Sequence, residues 1–272
     1  MSKSFYVGID VGSSATKCVL LRADSRIICC SMAPSGFSYK DSVAAAMESV
    51  LCQADATRED IAACVSTGYG RKLASIADRQ VTELSCHARG AREWYPQVRH
   101  IIDIGGQDTK VIRLNDHGQM ADYRMNAKCA AGTGTFLESI AAKLGLPLCK
   151  VDALAMLSSS DTVVNSYCTV FAGTEVIERI REGQPQEDIA MGLFRSIASR
   201  IREMMPARSG EVSATGGVVA HCPAMVRALE EALETTILLP PKPQHAGAYG
   251  AALLAQTTID VGRRAETHAS RR

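Results

Sequence analysis

Apolar and polar residues form three short, strand-like stretches at the start of the chain: SFYVGID, TKCVLLRA and RIICCSMA. Gly or Asp-Ser turns separate them, and short apolar runs bounded by turn residues are typical of β-strands. Residues 4–33 are therefore predicted to form a β-meander. Farther on, residues 42–53 carry Ala, Met and Val at helical spacing, IAACVST indicates a buried strand and LSCHARGAREWY indicates another helix. This order predicts one mixed α/β unit.

The same pattern begins again near residue 100. HIIDIGGQDTKVIRL predicts a strand, a glycine turn and a second strand, and GQMADYRMN predicts a third strand. FYVGIDVGSSATKCVLL and HIIDIGGQDTKVIRL align as an apolar run, an aspartate, a glycine-containing turn, Thr-Lys and a further apolar run. A repeat of this kind indicates an internal duplication.

Five later segments have helical periodicity. They are GTFLESIAAKLG, EVIERIREG, IAMGLFRSIASRIREMM, PAMVRALEEALE and GAYGAALLAQ. Between the third and the fourth of these segments, EVSATGGVV predicts a strand that runs into a double-glycine turn. No low-complexity linker or block of charge divides the halves, and the polar residues 261–272 are expected to form a frayed tail.

The composition excludes some classes of partner. The chain has 272 residues, enough for one large or two medium α/β domains, and its 30 Lys and Arg nearly balance 29 Asp and Glu. A net charge of +1 gives no electrostatic case for nucleic acid or for an anionic membrane. No apolar run approaches the ~20 residues that span a bilayer, and no signal-peptide pattern precedes FYVGIDVG, so a cytoplasmic location is expected. The ten cysteines include no CxxC pair and are expected to be mostly reduced thiols.

The motif DVGSSATK lies between two predicted strands, whereas the Walker A loop and the Rossmann fingerprint each lie between a strand and a helix. Backbone N–H groups and serine and threonine hydroxyls of such a hairpin can converge on phosphate oxygens, with a lysine as a point cation. The candidate nucleotide residues here are Gly12, Ser13, Ser14, Ala15, Thr16 and Lys17. Asp10 is a candidate catalytic residue that would hold Mg²⁺ through water. An ordinary Gly-Ser hairpin is the alternative.

The second copy, DIGGQDTK, favours a nucleotide site because two such hairpins can clamp one nucleotide. Asp103 would lie on its metal side, and Gly105, Gly106 and Gln107 would let the backbone approach the phosphates. Either Gln107 or Asp108 could orient the attacking water, and their order in the loop does not distinguish them.

The double glycine of TGGVV would allow the backbone to approach adenosine or its phosphates at Gly216 and Gly217, with a helix-entry turn as the alternative. The motifs DVGSSATK, DIGGQDTK and ATGGV together resemble the superfamily of actin-like, sugar-kinase and heat-shock-chaperone ATPases. That resemblance implies an α/β fold of duplicated ribonuclease-H-like domains around an interdomain cleft that binds ATP or ADP. It does not identify the reaction, because fold alone does not determine function.

Two cysteines, Cys129 and Cys168, each precede a small-residue turn and a predicted helix, in CAAGTGTFLESIAAKLG and CTVFAGTEVIERIREG. The partial positive charge of a helix N-terminus stabilises a thiolate. Two thiolates do not fill a four-thiolate iron–sulfur site, but a symmetric homodimer would supply four. A buried thiol is the alternative for either cysteine alone, and their parallel settings favour the cluster.

The motifs closely resemble one family, the ATP-dependent activators of 2-hydroxyacyl-CoA dehydratases with the related ATPase subunits of benzoyl-CoA reductases. The resemblance runs from about residue 5 to 256 and rests on GIDVGSSATK, STGYGR, DIGGQDTK, MNAKCAAGTGTFLE, SYCTVFAGTEVI and PQHAGAYGAALLA. It implies that Cys129 and Cys168 ligate one [4Fe–4S] cluster per homodimer. It further implies that the dimer uses Mg²⁺ and ATP to pass a low-potential electron from a ferredoxin or flavodoxin to a separate iron–sulfur partner.

Three further residues are assigned to the predicted nucleotide site. Gly132 and Thr133 follow the first cysteine, and Gln244 belongs to the closing motif of the family, with a simple loop as its alternative. Residues 1–99, completed by a helix at about 246–260, are expected to form the first domain and residues 100–245 the second. A small-molecule kinase of the same fold and a non-enzymatic scaffold or chaperone remain as rival functions, and both would leave the two cysteines dispensable.

Overall fold

The computed structural model describes residues 4–126, 132–164, 169–205 and 210–269. The chain divides into two compact units. The first comprises Met1–Pro96 together with His245–Arg272, and the second comprises Gln97–Gln244. Each unit is built on its own five-stranded sheet.

The sheet of the first unit contains the predicted meander. Its strands are β1 (Phe5–Val11), β2 (Ala15–Leu21), β3 (Ile27–Pro34), β4 (Ile61–Thr67) and the two-residue β5 (Arg79–Gln80). Their order is β3-β2-β1-β4-β5, with antiparallel pairing from β1 to β3 and parallel pairing of β4 with β1 and β5. The meander is thus confirmed, and the central strand β1 is buried along almost all of its length.

Two helices of the first unit begin at side-chain caps. Helix α1 (Tyr39–Gln53) starts earlier than its apolar pattern indicates, because the Ser38 hydroxyl accepts the Asp41 N–H at its first turn. Helix α2 (Glu83–Trp94) follows Thr82, whose hydroxyl accepts the Ser85 N–H at 3.3 Å. The buried face of α1 packs with apolar side chains of β1, β2 and β4.

The second sheet repeats the pairing of the first. Its strands are β6 (Val98–Ile104), β7 (Thr109–Leu114), β8 (Met120–Asn126), β9 (Glu211–Thr215) and β10 (Ile237–Leu238). Strands β6, β7 and β8 pair antiparallel, while β9 pairs parallel with β6 and β10. Since the order β10-β9-β6-β7-β8 is the first order read in reverse, the predicted duplication is confirmed in the strand connections.

The second unit adds six helices among its described residues. They are α3 (Gly134–Lys143), α4 (Leu148–Ala155), α5 (Thr169–Arg181), α6 (Gln186–Met204), α7 (Gly217–His221) and α8 (Pro223–Leu233). A large apolar core joins them to β6, β7 and β9. Helices α4 and α7 were not predicted, because each is too short to show a helical period. Helix α5 begins before the predicted EVIERIREG, since Gly173 interrupts the apolar pattern there.

Helix α9 (Ala246–Ala269) returns to the first unit and packs against β1 and α2. The described backbone of α9 extends to Ala269, and the expected frayed tail from residue 261 stays a prediction. The stretch GRRAETHA supplies good helix formers after its single glycine. Helices α2 and α9 cross closely: a Cβ on Gly90 would overlap the Ala246 carbonyl, and one on Gly250 would overlap the Cys86 carbonyl. Across the described residues, no helix has both the length and the apolar character needed to cross a bilayer.

Candidate functional site

The β1–β2 hairpin carries an aspartate and a lysine on facing strands. Asp10 pairs with Lys17 in the antiparallel register, and the Lys17 Nζ lies 3.6 Å from Asp10 Oδ2. The turn between them, Gly12–Ala15, is called the first glycine loop and is closed by the Gly12 N–H donating to the Ala15 carbonyl at 3.2 Å. Asp10 is buried, whereas Lys17 is partly exposed. The loop therefore offers a cation and backbone donors beside a carboxylate held below the surface.

Ser35 fixes the shape of the first glycine loop, and the loop's own Ser13 and Ser14 lie on its solvent side. The Ser35 hydroxyl donates to the Gly12 carbonyl at 2.6 Å, and the Ser35 N–H donates to the Ser14 carbonyl. Ser13 is partly exposed and Ser14 exposed. The Thr16 hydroxyl lies instead 2.8 Å from the Ser42 hydroxyl of α1, in the core. The hydroxyls on the solvent side are therefore those of the two loop serines.

The β6–β7 hairpin repeats this arrangement with one added carboxylate. Asp103 pairs with Lys110 in register, and Lys110 Nζ lies 3.5 Å from Asp103 Oδ2. The turn Gly105–Asp108, called the second glycine loop, is closed by the Gly105 N–H donating to the Asp108 carbonyl at 2.9 Å. The Asp108 side chain also reaches Lys110, with Oδ1 2.6 Å from Nζ. Lys110 is buried between two carboxylates, and sequence reasoning had not selected it, although Thr-Lys closes both copies of the motif.

Each sheet places a threonine beside its buried aspartate. Thr67 at the end of β4 pairs in register with Asp10, and Thr215 at the end of β9 pairs with Asp103. The Thr215 hydroxyl donates to Asp103 Oδ1 at 3.1 Å. Sequence reasoning missed Thr67, although a Thr-Gly pair directly follows a buried strand in both halves and could have identified it.

The glycine after each threonine lies over the aspartate with positive φ. Gly68 has φ +88°, and a Cβ there would lie 2.5 Å from Asp10 Oδ1. Gly216 has φ +100°, and a Cβ there would lie 2.9 Å from Asp103 Oδ1. Both positions therefore require glycine for backbone conformation and for space. The predicted site residue Gly216 thus has an equivalent in Gly68.

The second glycine loop is joined to the start of α3. The Gly134 N–H donates to the Gly105 carbonyl at 3.0 Å, and Thr135 donates to the Gly106 carbonyl from both its N–H and its hydroxyl. Gly132 and Thr133, two predicted site residues, are buried just before this helix. The loop residue Gln107 is exposed at the turn, whereas Asp108 is engaged with Lys110.

The double-glycine turn and the closing motif also meet. The Gly216 N–H donates to the Pro243 carbonyl at 3.0 Å, and a Cβ on Gly217 would lie 3.5 Å from Gln244 Nε2. The Gln244 Oε1 lies 2.7 Å from His221 Nε2 of α7. Since these groups adjoin Asp103 through Gly216, the second unit gathers the predicted residues of its glycine loop, its double-glycine turn and Gln244 at one end of its sheet.

A buried histidine lies near the first aspartate. A Cβ on Gly247, at the start of α9, would lie 2.8 Å from His87 Nε2 of α2 and 3.3 Å from Asp10 Oδ2. Glycine at this position leaves room for both side chains. His87 was not selected from the sequence, where it is one of several polar residues in α2, but the glycines of CHARG and AGAYG mark the place where the two helices cross.

A model of the BadF/BadG/BcrA/BcrD ATPase family matches residues 7–255. The chain belongs to this family. Two curated relatives have similar lengths. The "(R)-2-hydroxyglutaryl-CoA dehydratase activating ATPase" of Acidaminococcus fermentans is 42% identical over 255 residues, covering 92% of this chain and 96% of the relative. The "2-hydroxyisocaproyl-CoA dehydratase activator" of Clostridioides difficile is 40% identical over 254 residues, covering 92% and 94%.

Solved structures agree with the family assignment. The activator of the 2-hydroxyisocaproyl-CoA dehydratase from Clostridium difficile with bound ADPNP superposes with a TM-score of 0.88 at 38% identity, covering 96% of this chain and 97% of that one. A ROK family glucokinase from Streptomyces griseus shares the fold alone, with a TM-score of 0.59 at 14% identity over 93% and 99% of the chains. The predicted two-domain α/β fold of the actin-like ATPases is thereby confirmed.

The predicted cluster ligands Cys129 and Cys168 lie outside the described residues. Among the cysteines that are described, burial raises the pKa of the Cys64, Cys86 and Cys222 thiols to about 12, so these thiols stay protonated at neutral pH. A protonated thiol is not a metal ligand. The described ranges also contain no group of three or more His, Cys, Asp or Glu residues suited to a metal ion.

Each of the two predicted cluster cysteines comes shortly before a helix in the sequence. Helix α5 begins at Thr169, directly after Cys168, and α3 begins at Gly134, shortly after Cys129. The N–H groups of a helix N-terminus stabilise thiolates and hydrogen-bond to cluster sulfur. The cluster predicted at Cys129 and Cys168 stays a prediction.

Proposed function

We propose that this protein is an ATP-hydrolysing activator that delivers one low-potential electron to a 2-hydroxyacyl-CoA dehydratase. The observation that carries the proposal is the pair of equivalent aspartate–lysine hairpins, the second of which is hydrogen-bonded to the residues that follow Cys129. Membership of an ATPase family and the ADPNP-bound relative support nucleotide binding. The names of the two curated relatives support a dehydratase as the partner.

The first glycine loop is proposed to bind phosphates. Its turn N–H groups, the Ser13 and Ser14 hydroxyls and the Lys17 cation supply donors and positive charge. The Lys17 Nζ lies 3.6 Å from the Asp10 carboxylate, and the lysine is partly exposed. Because its side chain is not fully buried, this lysine can turn toward an incoming phosphate.

Asp10 of the first unit and Asp103 of the second are each proposed as a candidate carboxylate for Mg²⁺, which prefers oxygen ligands and keeps several waters. Each carboxylate is buried and held by a lysine on the neighbouring strand. In the second loop, Asp108 is held by Lys110 while Gln107 is exposed. We therefore assign orientation of the attacking water to Gln107, with Asp108 as a residue that fixes the loop. Gly216, Gly217 and Gln244 are assigned to the adenosine side.

Cys129 and Cys168 would hold a [4Fe–4S] cluster shared by two copies of the chain. When bound, such a cluster supplies a one-electron couple whose potential depends on exposure and on hydrogen bonds to sulfur. The electron would come from a reduced ferredoxin or flavodoxin and pass to the dehydratase. The role of this chain's own residues is to bind ATP and to link the nucleotide loops to the segment that carries Cys129.

The deciding experiment measures iron, sulfide and the visible spectrum of anaerobically purified protein. About four irons per pair of chains are expected, with loss in Cys129→Ala and in Cys168→Ala. Cys149→Ala is the matched control, because Cys149 is an exposed cysteine of the same unit and should leave the iron content unchanged. A wild type that stays free of iron after anaerobic reconstitution would overturn the electron-transfer function and return the actin-like kinase and the scaffold to consideration.

A further inference from the structure

Four hydrogen bonds join the second glycine loop and the adjoining Thr109 of β7 to Gly132 and the first two residues of α3. The Gly105 carbonyl accepts the Gly134 N–H at 3.0 Å, and the Gly106 carbonyl accepts the Thr135 N–H at 2.8 Å. Two threonine hydroxyls add to these backbone bonds. Thr135 Oγ1 donates to the Gly106 carbonyl at 2.6 Å, and Thr109 Oγ1 donates to the Gly132 carbonyl at 2.6 Å.

The geometry of these bonds leaves little freedom between the loop and the turn. Thr109 is fully buried in β7, directly before Lys110, so its hydroxyl moves with the hairpin. Gly132 has φ +102°, and a Cβ there would lie 3.2 Å from the Asn126 side chain. Because donor–acceptor distances in protein hydrogen bonds are about 2.5–3.2 Å, a shift of about 1 Å in the loop must move the turn or break the bonds.

The equivalent threonine of the first unit makes a different hydrogen bond. Thr16 occupies the register position of Thr109, since Thr16 pairs with Val11 as Thr109 pairs with Ile104. Its hydroxyl bonds to Ser42, so it fixes helix α1 within the core. In the second unit, the same position holds the backbone beside Cys129. The duplicated fold therefore has one threonine that supports packing and one that links its hairpin to the cysteine-bearing segment.

We propose that Thr135 and Thr109 are positioning residues that transmit the nucleotide state of the second glycine loop to the segment carrying Cys129. This inference rests on the proposed function, in which the loop contacts ATP and Cys129 holds a cluster. A phosphate or its Mg²⁺ that draws the loop backbone would pull the Gly106 carbonyl. The two bonds from Thr135 then carry the displacement into the first turn of α3, and Thr109 carries it to Gly132.

The test compares Thr135→Val, which removes the hydroxyl at nearly constant volume, with Thr135→Ser, which retains it. Ser139→Ala is the control, because Ser139 lies one turn farther along α3. Thr109→Val provides an independent variant. Each protein is purified anaerobically with its iron, and the readout is the rate at which a chelator extracts iron in ADP and in ADPNP. Nucleotide affinity and steady-state ATP hydrolysis are measured in parallel.

In the wild type, iron should be extracted at different rates in ADP and in ADPNP, and Thr135→Ser and Ser139→Ala should keep this difference. Thr135→Val and Thr109→Val should lose most of the difference. Both valine variants should keep their iron and their nucleotide affinity. Wild-type behaviour in both valine variants would overturn the inference, as would an iron-loaded wild type whose extraction rate ignores the nucleotide. An iron-free wild type would instead overturn the proposed function, and the inference with it.

Discussion

Lys110 and Asp108 form an ion pair of 2.6 Å in the second glycine loop, and Ala15 occupies the position of Asp108 in the first loop. The two hairpins therefore share a fold and differ in the charge available at their lysine. Lys110 is paired with two carboxylates, whereas Lys17 is paired, among the described residues, with Asp10 at 3.6 Å. We infer that the first hairpin is the one that offers positive charge to phosphates.

Placing a carboxylate in the first loop should remove this difference. Ala15→Asp would allow a close ion pair with Lys17, like that of Asp108 with Lys110, and should lower ATP affinity by about tenfold, or about 1.4 kcal/mol. Ala15→Asn has nearly the same size without the charge and is the control. Calorimetric titration with ATP measures both. Equal losses in the two variants would show that bulk in the loop matters and that charge does not.

Gln107 and Asp108 should affect different kinetic constants. If Gln107 orients the attacking water, Gln107→Ala should lower kcat for ATP hydrolysis by about 10²-fold with ATP affinity nearly unchanged. Asp108→Asn should instead alter ATP affinity, because it releases Lys110 from one of its two partners. Steady-state rates and binding titrations of both variants separate these effects. A normal kcat in Gln107→Ala would assign the water to another group.

The glycine above each aspartate should be costly to replace. Gly68→Ala forces an alanine to φ +88° and brings its Cβ to 2.5 Å from Asp10 Oδ1. Gly36→Ala is the matched control, since Gly36 has φ +52° with no atom within 4 Å of its Cβ position. The positive φ alone costs about 1–2 kcal/mol. Gly68→Ala should cost at least about 1 kcal/mol more in the free energy of unfolding, because the added methyl overpacks the site. Equal costs in denaturant titrations would contradict the crowding.

Asp152 gives stability a defined pH dependence. It is buried, and burial raises its pKa although the Ala224 N–H donates to its Oδ1 at 2.9 Å and partly opposes the rise. Because its pKa is higher in the folded state than in the unfolded one, the stability it contributes is complete below the unfolded pKa and declines as the pH rises through the folded one. Asp152→Asn keeps an acceptor for Ala224 and removes the titration.

The measurement is the free energy of unfolding of wild type and Asp152→Asn from about pH 3 to pH 6. Asp152→Asn should gain stability relative to wild type across this range as the pH rises. A constant difference would show that the carboxylate has the same proton affinity in both states, and a change in the opposite direction would show that folding lowers its pKa.

The sequence predicted most of the fold because the duplication left a readable signal. The same succession of apolar run, aspartate, glycine turn and Thr-Lys begins both sheets, and the meander at residues 4–33 has clear strand boundaries. The two-residue strands β5 and β10 were missed because so short an edge strand has no periodicity. Helix α4 was missed for the same reason.

The sequence indicated the loops of the candidate site but not the residues that surround them. The glycine turns could be recognised by local composition, which is how Gly105, Gly106 and Gly216 were selected. Lys110 and Thr135 were missed because their importance depends on atoms brought together by folding. The identical Thr-Lys ending of both motifs hides the fact that Asp108 neutralises one lysine, and Thr135 matters because the Gly106 carbonyl lies opposite it.

The crossing of α2 and α9 at Gly90 and Gly250 bears on the order in which the protein is made. The first unit needs residues from Met1–Pro96 and from His245 onward, whereas the second is continuous from Gln97 to Gln244. During synthesis, the ribosome therefore releases a complete set of residues for the second unit before it releases α9. Until that helix emerges, Gly8 of β1 and Gly90 of α2 are exposed where α9 will pack. The half that is translated first is thus the last to be completed.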